Sequence, residues 1–169
     1  MGRSIGIGVL LVVLALLVGA IGLRLFLQRA GEDRLQPDED VAIAALHGKL
    51  PPNAFLACPP DYCQAAGAAA SPVLATDADR LYWALMRVVT AAPRVTVVRD
   101  DPQRRRIALI QRSAFFRFPD IILAEVVALG ADRSSVALYS RARYGRYDFA
   151  VNRQRVEDWL ARLTAAAAR

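Results

Sequence analysis

Residues 95–143 read VTVVRDDPQRRRIALIQRSAFFRFPDIILAEVVALGADRSSVALYSRAR, and the spacing of apolar residues in this stretch decides the fold. Val95-Thr96-Val97-Val98 alternates, Asp100-Asp101-Pro102-Gln103 carries the residues of a turn, and Ile107-Ala108-Leu109-Ile110 returns as a hairpin partner. Ile121 to Leu129 predicts a third strand, Gly130 to Ser134 a turn, and Ser135 to Arg143 a fourth strand. Along the fourth, Val136, Leu138 and Ser140 share one face, and Ala137, Tyr139, Arg141 and Arg143 share the other. Strands joined by such short turns pair antiparallel.

Helical periodicity flanks the strands on both sides. Thr76 suits an N-cap, Asp79 stands where a capping box places an acid, and Leu81, Leu85, Val88 and Val89 then recur at helical spacing up to Pro93. After the strands, Val156, Trp159, Leu160 and Leu163 mark an amphipathic helix that begins near Asn152. The expectation is an α+β domain over residues 76–169, a two-layer arrangement of a four-stranded antiparallel sheet and two helices.

Upstream, residues 28–75 read as a tether. They contain GEDRLQPDED, KLPPN, ACPPDYC and the low-complexity AAGAAASP, with one short apolar patch at Val41 to Leu46. Residues 1–27 hold the uncharged run Ser4 to Leu23, SIGIGVLLVVLALLVGAIGL. Twenty helical residues cover roughly the 30 Å hydrocarbon layer of a bilayer. Val18-Gly19-Ala20 also offers small residues of the kind found at a signal-peptide cleavage site. The apolar run exceeds an ordinary signal core and continues past that site, so a retained transmembrane signal anchor fits better.

Composition narrows the function classes. The 169 residues are 55% apolar and carry a net charge of +6, with a mean hydropathy of +0.26 and a pI near 10.0. Such a charge invites a nucleic-acid reading, but the apolar excess belongs to a membrane protein. Residues 94–169 carry most of the basic charge, and every basic residue except Lys49 is arginine, whose planar fork suits carboxylate and phosphate. Cys58 and Cys63 are the only cysteines. A disulfide fits an even number at close spacing beside prolines, while two free thiols remain open. A metal site is disfavoured, because the single histidine, His47, lies eleven residues upstream.

Catalytic patterns are sparse. Neither GxGxxG nor GxxxxGK[ST] occurs, and His47 lies in a linker-like stretch. Asp120, Glu125 and Asp148 are the carboxylates near the strands, but the five-residue spacing of Asp120 and Glu125 puts them on opposite faces. The densest polar segment is Ser140 to Arg155, SRARYGRYDFAVNRQR. There Arg141, Arg143, Arg153 and Arg155, with Asp148 and Asn152, have two readings. As a structural network, Asp148 pairs with Arg141 or Arg143, Asn152 caps the last helix, and Arg155 sits on its first turn. As a binding site, the arginines converge near a helix N-terminus on a phosphate, lipid headgroup or carboxylate.

This segment resembles the signature R-S-x-S-R-x-G-x-x-D-x-G-x-N-x-x-R of the bacterial and plastid family catalogued as domain of unknown function 1499. Ser140, Arg143, Gly145, Asp148, Asn152 and Arg155 fall on the pattern, with Arg141 at an open position within it; Ala142 replaces a usual serine and Ala150 a usual glycine. Pro52-Asn53 with Cys58-Pro59 and Cys63 is similar to the family's cysteine-proline opening, although the cysteine spacing is shorter. Ser113 with Phe116-Arg117-Phe118-Pro119-Asp120 is similar to its serine-to-FxD segment. The resemblance covers about residues 51–163 and implies a membrane-attached or exported domain.

Lysine and arginine counting near the span, with Arg3 before it and Arg24, Arg29 and Arg34 after it, puts the domain in the cytoplasm. The cysteine pair and the resemblance point the other way, to a bacterial inner-membrane protein with a periplasmic domain. The expected function is a non-catalytic envelope module that docks on another membrane protein or complex, without a cofactor or nucleic-acid partner. The alternative is binding of an anionic small molecule or lipid headgroup. An enzyme built on Asp120 or Asp148 with Ser113 or Ser140 ranks last, since no base is visible for a serine nucleophile.

Overall fold

The structure, a computed structural model, describes residues 2–29, 35–36 and 39–167, with side chains of the first helix described over residues 7–25. Helix α1 (Gly2–Arg29) comes first. Its segment Ile7–Leu25 has a mean hydropathy of 2.6 and no buried residue, so it is long and apolar enough to cross a membrane. A short 3-10 turn, Ile43–Ala45, precedes strands β1 (His47–Lys49), β2 (Ala54–Cys58), β3 (Gln64–Ala66) and β4 (Ala69–Ala70). Helix α2 (Ala78–Thr90), strands β5 (Val95–Asp101), β6 (Arg106–Arg112), β7 (Pro119–Ala128) and β8 (Ser134–Ala142), and helix α3 (Val151–Ala167) complete the chain.

The class is α+β as expected, but the sheet is larger. Six strands run in the order β4-β2-β8-β7-β6-β5, antiparallel throughout except for the parallel β2–β4 edge, and β1 and β3 form a separate parallel pair. The expectation of a four-stranded antiparallel sheet is therefore corrected: β2 and β4 come from the stretch that composition assigns to a tether. Its five-residue strand, AFLAC, is buried from Phe55 to Cys58 on both faces. A strand covered on both sides shows no polar alternation, which removes the signal that would reveal it.

Two cores flank the sheet. Leu81, Leu85 and Val89 of α2 and Val156, Trp159 and Leu163 of α3 pack on one face. On the other, Ile43, Leu56, Cys58 and Ala65 lie against Ile110, Ile121, Leu123 and Tyr139. The two faces of β8 are as the alternation predicts, with Val136 and Leu138 towards the helices and Ala137 and Tyr139 away from them. Helix α2 is capped by Asp77, which accepts from the Arg80 N–H at 2.8 Å, one residue later than the expected Thr76.

Buried polar bonds fasten the N-terminal segment to the second face. Glu125 of β7 accepts from the Ile43 N–H at 3.0 Å and the Tyr62 hydroxyl at 2.7 Å, with Arg106 at 3.1 Å. Burial and the Glu125 bond push the Tyr62 hydroxyl up to about 12. Cys58 and Cys63 lie at disulfide distance, with Cα atoms 6.1 Å apart, and close the turn that delivers Tyr62 to Glu125. The loop is short, so breaking the bridge should cost only about 2 kcal/mol. Thiol labelling of unreduced, denatured protein should find neither cysteine, and reduction should lower the melting temperature modestly; full labelling of both would exclude the bridge.

Candidate functional site

The polar segment after β8 does not gather around Asp148. Its residues divide between the two faces of the sheet. On the helix face, Arg155 reaches under the start of α3, its side chain only 8% exposed. Its guanidinium donates to Asp120 at 2.6 Å, to the Ser140 hydroxyl at 2.7 Å, and to Asn152 and Gln111. Asn152 is fully buried. Its carbonyl oxygen accepts from Ser140 at 2.6 Å and from Arg155, and its amide donates to the Asn53 carbonyl at 3.0 Å and to Asp148 at 2.7 Å. Two acceptor and two donor positions are thus all filled, which also fixes the amide's orientation.

Asp148 performs the capping that sequence spacing assigns to Asn152. It accepts from the Asn152 N–H at 2.8 Å and the Ala150 N–H at 3.3 Å, satisfying donors that the first helical turn leaves open. Asn53 ties the loop to β2 by donating to the carbonyls of Ala142 at 3.1 Å and Gly145 at 2.6 Å. The turn needs Gly145 at φ 85°.

On the other face, Arg143 grips Glu39 with two bonds of 2.8 and 2.6 Å, and Arg141 approaches the same carboxylate at 3.6 Å. The pair is dry: the Glu39 side chain is 1% exposed and that of Arg143 3%. Burial alone would raise the Glu39 carboxyl. The Arg143 and Gln36 hydrogen bonds and the charges of Arg143 and Arg141 outweigh it, holding the group below its ordinary value. Glu39 lies in the GEDRLQPDED stretch that composition assigns to the tether, and no local spacing points to it as a partner. Arg153 is exposed, stands over the Phe55 ring at 4.5 Å, and faces Glu157 at 3.7 Å.

Asp120 and Glu125 stand on opposite faces, as their spacing predicts, Asp120 against α3 and Glu125 against the N-terminal segment. Burial raises the Asp120 carboxyl, aided by the nearby charge of Asp148 and opposed by Arg155. Asp120 and Arg155 also line an open cleft of about 460 Å³ between the 91–94 and 113–114 turns and α3, with Arg94, Gln111 and Trp159. Arg94 donates to the Arg112 carbonyl at 2.9 Å. Chemically, the arrangement is a set of charge-assisted bonds whose partners are already supplied by the protein. Among the described residues, no three of His, Cys, Asp and Glu sit together as a metal ion requires.

The residues that close this network, Asn53 from the 51–53 turn to Arg155 of α3, all fall within a family model matching residues 51–163. The chain belongs to the DUF1499 family. Its description is "Protein of unknown function (DUF1499)". No curated protein matches this DUF1499 chain. Among solved structures, it is similar to the di-domain ARO/CYC BexL from the BE-7585A biosynthetic pathway, at 18% identity and a TM-score of 0.45, covering 58% of this chain and 45% of that one. It is also similar to the ZhuI aromatase/cyclase from Streptomyces sp. R1128, at 17% identity and a TM-score of 0.33, covering 57% and 84%. The DUF1499 chain thus spans less than half of the first structure's length, and similarity at these TM-scores carries no argument about activity.

The departure at Ala150 has a physical consequence. Ala150 sits at φ 64°, where an L side chain costs about 1–2 kcal/mol and glycine costs little. Ala150→Gly should therefore stabilise the protein by about 0.5–1 kcal/mol after the entropy of the added glycine is counted. Thermal unfolding measures this as a rise in Tm; a fall would show that the left-handed conformation is not held in solution.

Proposed function

We propose that the protein is a membrane-anchored, non-catalytic cell-envelope domain that acts as an interaction or assembly module, held by α1 in a bacterial inner membrane with its domain in the periplasm. One observation carries the reading: an unburied apolar helix, Ile7–Leu25, precedes a domain whose signature polar groups are spent on one another. Arg155, Asp120, Asn152 and Asp148 bind within the domain, and Arg141 and Arg143 bind Glu39. The cysteine pair supports the oxidising side of the membrane. Anion binding through Arg141, Arg143, Arg153 and Arg155 draws less support, since the sheet separates the first two from the last two.

An alkaline phosphatase fused after residue 169 should be active, and the chain should stay in the membrane through alkaline carbonate extraction. Activity of a cytoplasmic reporter at the same position would reverse the topology. Chemical crosslinking in native membranes should give one discrete adduct larger than the chain; a chain that stays monomeric under efficient crosslinking would remove the assembly role.

A further inference from the structure

At one end of the sheet, rings stand in solvent. Outside α1, every exposed phenylalanine and tyrosine among the described residues lies on two loops, 113–118 and 143–150. Phe115 is 64% exposed, Tyr147 62% and Phe149 92%. The loops adjoin because Arg112 pairs with Pro119 across β6 and β7, and Asp120 pairs with Ala142 across β7 and β8. Phe115, Phe116, Phe118 and Tyr144 then form a chain of ring contacts 4.8, 5.6 and 6.5 Å between centroids.

These loops are held in place. The Ser113 N–H donates to the Phe118 carbonyl at 2.9 Å, the Phe118 N–H donates to the Ser113 hydroxyl at 3.0 Å, and Arg112 bonds the Arg117 carbonyl at 2.9 Å. Phe149 adopts φ 54°, a left-handed conformation that costs about 1–2 kcal/mol, and still presents its ring to water. Arg117 and Arg146 add positive charge, and the only acid on either loop, Asp148, is bonded to the start of α3.

The tether decides what meets this surface. Glu39 is fixed to Arg141 and Arg143 at the same end of the sheet, and α1 ends at Arg29. Ten residues of chain reach at most about 35 Å, so Glu39, at the end bearing the rings, lies within that reach of the end of α1. Aromatic rings with arginines favour the interfacial layer of a bilayer with anionic lipids.

We propose that loops 113–118 and 143–150 form a membrane-contacting rim. Phe115, Phe116, Tyr147 and Phe149 enter the interfacial layer of the bilayer that holds α1, and Arg117 and Arg146 meet its anionic headgroups. This rests on the reading of α1 as an anchor, and the test separates the two. The full chain is placed in nanodiscs of phosphatidylcholine with phosphatidylglycerol, carrying brominated acyl chains, and tryptophan is introduced by Phe149→Trp or by Leu129→Trp. Leu129 lies in the turn at the far end of β7, about 30 Å away. Against the Trp83 and Trp159 background, Phe149→Trp should be quenched several-fold more than Leu129→Trp. Adding Arg146→Glu or omitting phosphatidylglycerol should reduce that quenching. Equal quenching at both positions in a chain that remains in the disc overturns the rim while the anchor stands; a rim covered by protein instead of lipid gives this same result. A chain that does not enter the disc overturns both.

Discussion

Replacing Arg155 with alanine should cost about 3–5 kcal/mol of folding stability, because removing one partner of a buried ion pair strands the other. The stranded group is Asp120, already raised by burial and by the charge of Asp148, and Arg155 supplies the two influences that lower it. Ser140, Asn152 and Gln111 each lose a partner as well. With Arg155 gone, the folded-state pKa of Asp120 moves further above its unfolded value. A carboxyl raised in this way contributes stability below its unfolded pKa and loses it as pH rises through the folded one. The deficit of Arg155→Ala should therefore be greatest near neutrality and shrink below the ordinary aspartate pKa of about 4. Denaturant titration at several pH values measures it. Asp120→Asn in the Arg155→Ala background should restore part of the loss, and a double-mutant cycle should give a coupling of at least about 1 kcal/mol. A coupling below about 0.5 kcal/mol would mean the pair does not hold α3 to the sheet.

Glu39→Gln should be comparably damaging, by about 3–5 kcal/mol, since Arg143 loses the charge that justifies its burial. The substitution keeps the shape of the side chain, so the loss reports charge. Glu39 is held below its ordinary value, and the stability it contributes is full above the unfolded glutamate pKa and fades as pH falls through the lower folded one. The native protein should thus lose more stability on acidification than the Glu39→Gln variant, and the two curves should converge at low pH. Amide hydrogen exchange locates the effect: protection should fall first at Glu39 and through Ile43 to Leu46, the short segment that follows it, before the sheet strands. Unchanged protection there would show that the pair does not fasten it.

What the sequence displays and what it hides follows from the range of each interaction. Alternation in Ser135 to Arg143 and helical spacing in Leu81 to Val89 are local, and each yields its element within a residue or two. The opposite placement of Asp120 and Glu125 follows from the period of a strand alone. Strand β2 is different: five residues with no polar face, set among Pro, Gly and Ala, carry no period to read. Glu39 meets Arg143 across more than a hundred residues, a pairing that no spacing rule addresses. Asp148 carries a local signal. An aspartate just ahead of Val151, Val156 and Trp159 is an N-cap pattern, and it competes with the pairing to Arg141 or Arg143 that charge alone suggests.

The place of β2 between β4 and β8 sets a timetable for synthesis. Ala54 pairs with Arg141 and Phe55 with Ser140, so the first long strand of the sheet to leave the ribosome has only the two-residue β4 beside it until the last has emerged. Hairpins β5–β6, β6–β7 and β7–β8 close between sequence neighbours and can form without it. At about 5–20 residues per second, Phe55, Leu56 and Ala57 lack their β8 partner for several seconds. A nascent chain of this kind exposes a strand with one long edge unpaired during that interval, which is when a chaperone or a neighbouring nascent copy has access to it.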